Sequence, residues 1–264
     1  MKEIELEELH MIHLEMLKDI DAFCRTNDIR YSLGGGTLLG AIRHKGFIPW
    51  DDDVDIMMPR DDYDRFISTY NSKNSPFKCI NYVKKKDVRY AKAWAKVHDT
   101  RTICKETQEK ADLRHGVFID VFPIDGLPED ERKCAKFLKR NASYKHRLKM
   151  SMVRVHKYSR NMNIFKFVLS QIVPTKVWKK LSDRTSRKYR FDISKYAGAT
   201  TGSYLMRERY PRELFEHYID IPFEGCTLRA VKEWHTYLEQ HYNNYMTLPP
   251  EDQRATHSIK AYWK

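Results

Sequence analysis

The sequence predicts an α+β fold, one large domain with an accessory lobe, and three observations carry that prediction. Apolar and polar residues alternate with period two around 54–58, 77–83, 90–97 and on both sides of Asp120, which is the pattern of strands. Leu6, Leu9, Ile12, Leu14, Met16, Leu17, Ile20 and Phe23 recur at helical spacing. Residues 132–190 hold nineteen Lys or Arg and one acidic residue, Asp183, a local balance of +18 in a chain whose total is +12. The rest of the chain is therefore net acidic, and the basicity belongs to one lobe.

Composition narrows the function classes. Hydrophobic residues at 41% and aromatic residues at 12% are enough to fill a core, so the chain is globular. No run approaches the ~18 apolar residues that a membrane-spanning helix needs. The opening MKEIELEELH is acidic and polar, unlike a signal peptide. Five cysteines, at 24, 79, 104, 134 and 226, are odd in number and form no C-x-x-C pair, which points to a reducing cytoplasm and away from disulfides or zinc.

In chain order, the first element is an amphipathic helix ending at Asn27-Asp28. His10 and His13 lie on it and read as surface or boundary histidines. Residues 29–33 then approach Gly34-Gly35-Gly36, followed by Thr37-Leu38-Leu39-Gly40-Ala41-Ile42, a short helix whose N-terminus sits on the glycines. Bare amides at a helix N-terminus attract anions, and glycine lets a phosphate approach the backbone. Pro49 cannot continue that helix and turns the chain back.

The return leg carries Asp51, Asp52, Asp53 and Asp55 into a strand at 54–58. Alternation places Asp53 and Asp55 on one face, with Asp51 joining them if the strand extends that far back and Asp52 pointing away. Adjacent carboxylates repel, and hard oxygen donors at this density suit Mg²⁺ or Mn²⁺. A solvated acidic turn would also collect aspartates. The glycine turn so close by favours a site where phosphate and metal meet.

Another helix is expected from residue 60, with Asp61 or Asp62 as its N-cap. After a loop at 71–76, strands at 77–83 and 90–97 are joined by a turn through Lys84-Lys85-Lys86-Asp87. Lys92, Trp94 and Lys96 share one face of the later strand, either lining a site or standing on a solvated edge. In GVFIDVFPIDG, Asp120 lies inside an apolar strand, where an ionised carboxylate is costly without a partner. Asp125 follows Pro123 and reads as a structural residue in a turn. The basic lobe contains NIFKFVLSQIVPTKVW (163–178), too short and interrupted to span a bilayer. Such a lobe suits an anionic membrane surface, nucleic acid, or simple packing of helices with solvated lysines. Beyond it, 215–223 and 225–228 read as a hairpin and 231–242 as a helix with Val231, Trp234 and Leu238 on one face. Pro249-Pro250 ends regular structure there, and His257 falls in a basic tail.

LGGGTLLGAIRHKGFIPWDDDVDIMMPRDDYDRF strongly resembles the LicD family of phosphocholine transferases, within the nucleotidyltransferase superfamily and related to fukutin-type transferases. GVFIDVFPIDGLPED and YNNYMTLPPEDQRATH extend the likeness over most of the chain. The resemblance implies a nucleotidyltransferase-like mixed β-sheet core flanked by helices. It divides the chain into a catalytic core at 1–130, the basic helical lobe at 131–191 and a C-terminal part at 192–264 that completes the domain. It implies Asp53, Asp55 and Asp120, with Asp51 as a further candidate, as ligands of Mg²⁺ or Mn²⁺, and Gly34, Gly35, Gly36 and Thr37 as the phosphate turn, with Arg43 and Lys45 adding charge. The implied reaction moves phosphocholine from CDP-choline to a sugar hydroxyl of a cell-surface glycan precursor, lipid-linked or otherwise, such as teichoic acid, lipopolysaccharide or capsule. Trp50, Trp94, Tyr31 and Tyr90 are the aromatic candidates for the choline. The expected location is cytoplasmic, with peripheral contact to the inner face of the membrane and no nucleic-acid partner. Transfer of ribitol phosphate or of a nucleotide would use the same parts, and a non-catalytic basic module is the reading from another class.

Overall fold

A computed structural model describes residues 1–72, 74–81, 92–104, 115–152, 164–254 and 259–264. In order, the elements are β1 (Glu3–Ile4), α1 (Leu6–Thr26), β2 (Ser32–Leu33), α2 (Gly35–His44), β3 (Asp55–Pro59), α3 (Arg60–Thr69), β4 (Phe77–Ile80), β5 (Ala95–Asp99), β6 (Thr102–Cys104) and β7 (Phe118–Leu127). The lobe follows as α4 (Glu131–Met152), α5 (Ile164–Ile172) and α6 (Thr175–Ser186), then β8 (Tyr196–Gly198), β9 (Tyr210–Pro211), β10 (Tyr218–Phe223), β11 (Cys226–Val231), α7 (Trp234–Tyr242) and β12 (Ala261–Trp263). No helix among the described residues is long and apolar enough to cross a membrane.

The main sheet runs β2-β3-β7-β5-β4, with β8 and β9 added along the far half of β7. Only β3 and β7 are parallel; the other ladders are antiparallel, so the sheet is mixed and the α+β expectation holds. Helix α1 forms because its apolar residues fall on one stripe. Leu9, Ile12, Met16, Leu17 and Ile20 are buried, and Glu7 and Glu8 at its start and Arg25 at its end suit the helix dipole. His13 departs from the surface reading. It is buried, its Nε2 lies 3.0 Å from Phe118 O, and burial lowers its pKa to about 3, so it is a neutral core residue.

Several expectations change on the folded chain. Helix α3 is entered from Pro59, and no side chain caps it. Asp62, buried in its first turn, instead accepts from the backbone N and the Nε of Arg30. The strand expected at 90–97 begins at Ala95, and β5 lies between β4 and β7 rather than at an edge. The lysine turn at 84–87 lies outside the described residues. Strand β7 does not stop at Pro123. The Asp120 N–H points to β3 (2.9 Å to Val54 O), so alternation turns position 123 to the opposite edge. There β5 pairs only up to Val121 and β8 only from Asp125, so the missing proline N–H has no partner to lose. Asp125 is thereby carried into the strand, buried and bound by Arg60 Nε (2.6 Å), Arg60 Nη2 (2.8 Å) and Thr200 Oγ1 (2.8 Å). Val231 belongs to β11, and α7 starts at Trp234. Regular structure also resumes after Pro249-Pro250, because β12 pairs with both β1 and β6.

The basic stretch is helical. The apolar run splits at Pro174 into α5 and α6, as the missing amide and ring of proline require. Trp178 packs on Leu148 inside the lobe, while Val168, Ile172 and Val177 are exposed. Helix α4 also reaches the core: Lys145 Nζ donates to Thr201 O (2.8 Å) and Gly202 O (3.0 Å).

Candidate active site

A cavity of about 930 Å³ opens where the glycine turn, the ends of β3 and β7, the start of β5 and the C-terminal segments meet. Its floor is set by register. Asp55 on β3 pairs with Asp120 on β7, which pairs with Lys96 on β5, so the three side chains form one row across adjacent strands. Asp51 and Asp53 line the same cavity from the turn before β3. Asp52, in the turn before β3, does not line the cavity and accepts from Ile259 N (2.8 Å), fastening the last described segment over the acidic turn.

Backbone geometry holds the glycines against these carboxylates. Gly34 N donates to Asp55 O (2.9 Å), and Thr37 Oγ1 accepts from Asp55 N (2.9 Å), so strand and helix start are bonded to each other. Gly35 takes a left-handed φ of +48°, and a Cβ there would stand 3.0 Å from Asp55 Oδ2. At Gly36 it would stand 2.9 Å from Asp51 Oδ2. Gly36 and Thr37 are early residues of α2, so their amides have no carbonyl four residues back within the helix.

The electrostatics are those of crowded carboxylates. The pKa of Asp55 is pushed well above the usual range, first by burial and then by Asp53, Asp120 and Asp51, with Lys96 opposing. Lys96, 2% exposed, has Nζ 3.5 Å from Asp120 Oδ1 and 3.0 Å from the centroid of the Phe118 ring. Among the described residues Asp120 Oδ1 is buried and makes no hydrogen bond, and Lys96 Nζ is its ion-pair partner. Among the described residues, no three His, Cys, Asp or Glu side chains are drawn together into a ready-made metal cage. Carboxylates that repel one another spread apart. Their shared cavity, the raised Asp55 and the hydrogen-bond-free Asp120 Oδ1 nevertheless fit a hard divalent cation.

Of the residues singled out in the sequence, Gly34, Gly35, Gly36, Asp51, Asp53, Asp55, Lys92, Trp94, Lys96 and Asp120 meet at this cavity. Thr37 supports it through Asp55. The others lie elsewhere. Tyr31 is buried under the β10–β11 hairpin, with its hydroxyl bonded to Asp21 (2.5 Å) and Arg229 N (3.2 Å). Trp50 packs beneath the Arg254 guanidinium, 4.5 Å from its ring centroid. Arg43 is held by Tyr245 O (2.9 Å) at the end of α2, where burial lowers its pKa. Lys45 is exposed, in a left-handed conformation at the C-cap of α2. Tyr90 and His257 lie outside the described residues.

Sequence reasoning missed the cavity's second wall. Tyr204, Glu208, Tyr237, His241 and Tyr242 line it, and Tyr237 Oη accepts from Gly35 N (3.2 Å). Lys149 from the lobe and Lys260 also reach it. The aromatic and histidine density of 234–245 was the available signal, but helical spacing alone reads it as core. Lys96 was visible only as one of two readings of its strand.

Residues 28–154 match the domain family described as LicD/FKTN/FKRP, nucleotidyltransferase domain. Over 268 residues, 99% of either chain, the sequence is 33% identical to the lipopolysaccharide cholinephosphotransferase LicD of Haemophilus influenzae. It is also 46% identical over 48 residues to uncharacterised proteins of Rickettsia prowazekii and Rickettsia typhi, a span of 18% of this chain and 18% and 16% of theirs.

Proposed function

The chain belongs to the LicD family, and from that premise we propose that it is a metal-dependent phosphocholine transferase using CDP-choline as donor and a sugar hydroxyl of a cell-envelope glycan precursor as acceptor. The observation that carries this reading is the Asp55–Asp120–Lys96 row set beside the glycine turn in one cavity. Mg²⁺ or Mn²⁺, held by Asp53, Asp55 and Asp120 with Asp51 beside them, would supply charge neutralisation of the diphosphate and of the leaving CMP.

The protein's own groups do the rest. The Gly36 amide at the start of α2 faces the donor phosphates, and the helix dipole adds to it. Lys92, Lys149 and Lys260 supply positive charge around the cavity. Lys96 holds Asp120 in place. The acceptor hydroxyl oxygen attacks the phosphorus that bears choline, the bond from that phosphorus to the bridging oxygen breaks, and CMP leaves with the electron pair. A cavity carboxylate, for which Asp120 is the candidate, takes the hydroxyl proton if it is not committed to the cation. The exposed apolar residues Val168, Ile172 and Val177, among the lysines of α5 and α6, give the lobe a means of resting on an anionic membrane where a lipid-linked acceptor would lie.

Purified protein incubated with CDP-choline, Mg²⁺ and a glycolipid acceptor should release CMP, and Asp53→Ala and Asp55→Ala should abolish the release. Consumption of CDP-ribitol with CDP-choline left intact would replace phosphocholine by another phospho-alcohol. Mass analysis of the acceptor separates an added phosphocholine from an added nucleotide. No turnover of any donor, with vesicle binding retained, would leave a basic binding module.

A further inference from the structure

We propose that Tyr204, Tyr237, His241 and Tyr242, with the Glu208 carboxylate among them, form the pocket for the trimethylammonium group of the donor. The inference rests on the phosphocholine reading above and goes beyond it by assigning choline selectivity to the C-terminal wall of the cavity.

The rings are gathered closely. The Tyr204 and His241 centroids are 4.4 Å apart, Tyr237 and His241 stack at 4.8 Å, and His241 and Tyr242 lie 5.3 Å apart. All four line the cavity. A quaternary ammonium has no N–H to donate, so recognition falls to ring faces and to a nearby negative charge. Glu208 lines the cavity although buried, with its Oε1 3.8 Å from His241 Nε2. Burial lifts its pKa to about 8, so the acid is mostly protonated in the free protein, and a trimethylammonium bound beside it favours the ionised form and gains the negative charge. Burial lowers the His241 pKa to about 4, so the imidazole is neutral near pH 7 and adds no competing charge.

Distance supports the same wall. Only two methylenes separate the choline nitrogen from its ester oxygen, so the ammonium must bind within one side-chain layer of the phosphate. Tyr237 accepts directly from Gly35 N, and the Tyr242 hydroxyl is 3.6 Å from where a Gly35 Cβ would stand. The aromatic alternative is Trp94, stacked on Phe122 at 4.9 Å. Lys92 and Lys96 line the cavity from the same segment as Trp94. Those cations repel a trimethylammonium and suit phosphate instead.

The test compares CDP-choline with the uncharged-headgroup donor CDP-glycerol, by CMP release, in wild type, Tyr204→Ala, Glu208→Gln and Trp94→Leu. Tyr204 is 42% exposed, so its truncation should leave the fold intact, and CMP affinity by calorimetry checks each variant. Tyr204→Ala and Glu208→Gln are each expected to raise KM for CDP-choline roughly tenfold, with CMP affinity unchanged. The preference of wild type for CDP-choline over CDP-glycerol should shrink by the same factor. Retention of that preference in both variants, or its loss in Trp94→Leu alone, overturns the assignment and leaves the transferase reading standing. Wild type that releases no CMP from CDP-choline brings down the transferase reading itself, and this assignment with it.

Discussion

Lys96 and Asp120 face each other across the β5–β7 ladder with Nζ 3.5 Å from Oδ1, and the same Asp120 is in register with Asp55 on its other side. A buried cation thus sits at the end of a row of acids. Removing it leaves Asp120 without its partner, which for a buried pair costs about 3–5 kcal/mol. Lys96→Met should therefore lower stability by that order in urea denaturation. Lys96→Met with Asp120→Asn should cost clearly less than the two single changes added together. Additive costs would mean that the pair is not coupled.

The glycine turn gives two substitutions with different outcomes. Gly35→Ala forces an L-residue to φ +48° and a methyl group to 3.0 Å from Asp55 Oδ2. It should cost about 1–2 kcal/mol of stability as well as activity. Gly36→Ala meets only Asp51 Oδ2, at 2.9 Å, and its φ is not left-handed. It should depress turnover while shifting the melting temperature little. Equal melting losses in the two variants would contradict the backbone argument.

Asp125 tests the separation of structure from chemistry. Bound by Arg60 and Thr200 and absent from the cavity lining, it holds β7 to α3. Asp125→Ala strands a buried guanidinium and should destabilise by about 3–5 kcal/mol. At a temperature where the variant remains folded, KM for the donor should match wild type. A large KM change would place Asp125 at the site.

Glu208 carries a pH signature. Burial lifts its pKa to about 8, from about 4.3 for an unfolded glutamate. The native state keeps this proton where the unfolded chain has lost it. Its contribution to stability is therefore present below about pH 4 and is lost as pH rises through about 8. Lys145 and His241 face it and remain in both proteins compared. The melting temperature of wild type should fall relative to Glu208→Gln between pH 5 and pH 9, and parallel profiles would count against a buried acid here.

Ile172, 73% exposed at the end of α5, is the most exposed apolar residue of the lobe among the described residues. Ile172→Asp should weaken sedimentation with phosphatidylserine vesicles several-fold and leave CMP release from CDP-choline, measured with a soluble acceptor, unchanged. Unaltered vesicle binding would return those lysines and apolar residues to the role of an ordinary solvated lobe.

Local pattern determined much of this protein. Period-two alternation located β3 and the strand around Asp120, helical spacing located α1, and the glycine–aspartate succession named the carboxylates that share the cavity. Each of these signals lies within a few residues along the chain. What a residue meets across the sheet is not local, and there the tertiary structure decided. Whether Lys96 stood on an edge or in the floor depended on β5 lying between β4 and β7. Whether Pro123 broke its strand depended on where β5 stops and β8 begins. Tyr237 and Tyr242 reach Gly35 from about two hundred residues along the chain, and packing of α7 beside α2 brings them there. A sequence states its periodicities directly, but proximity between distant segments is set by which faces bury together, and that is settled only when the chain has folded.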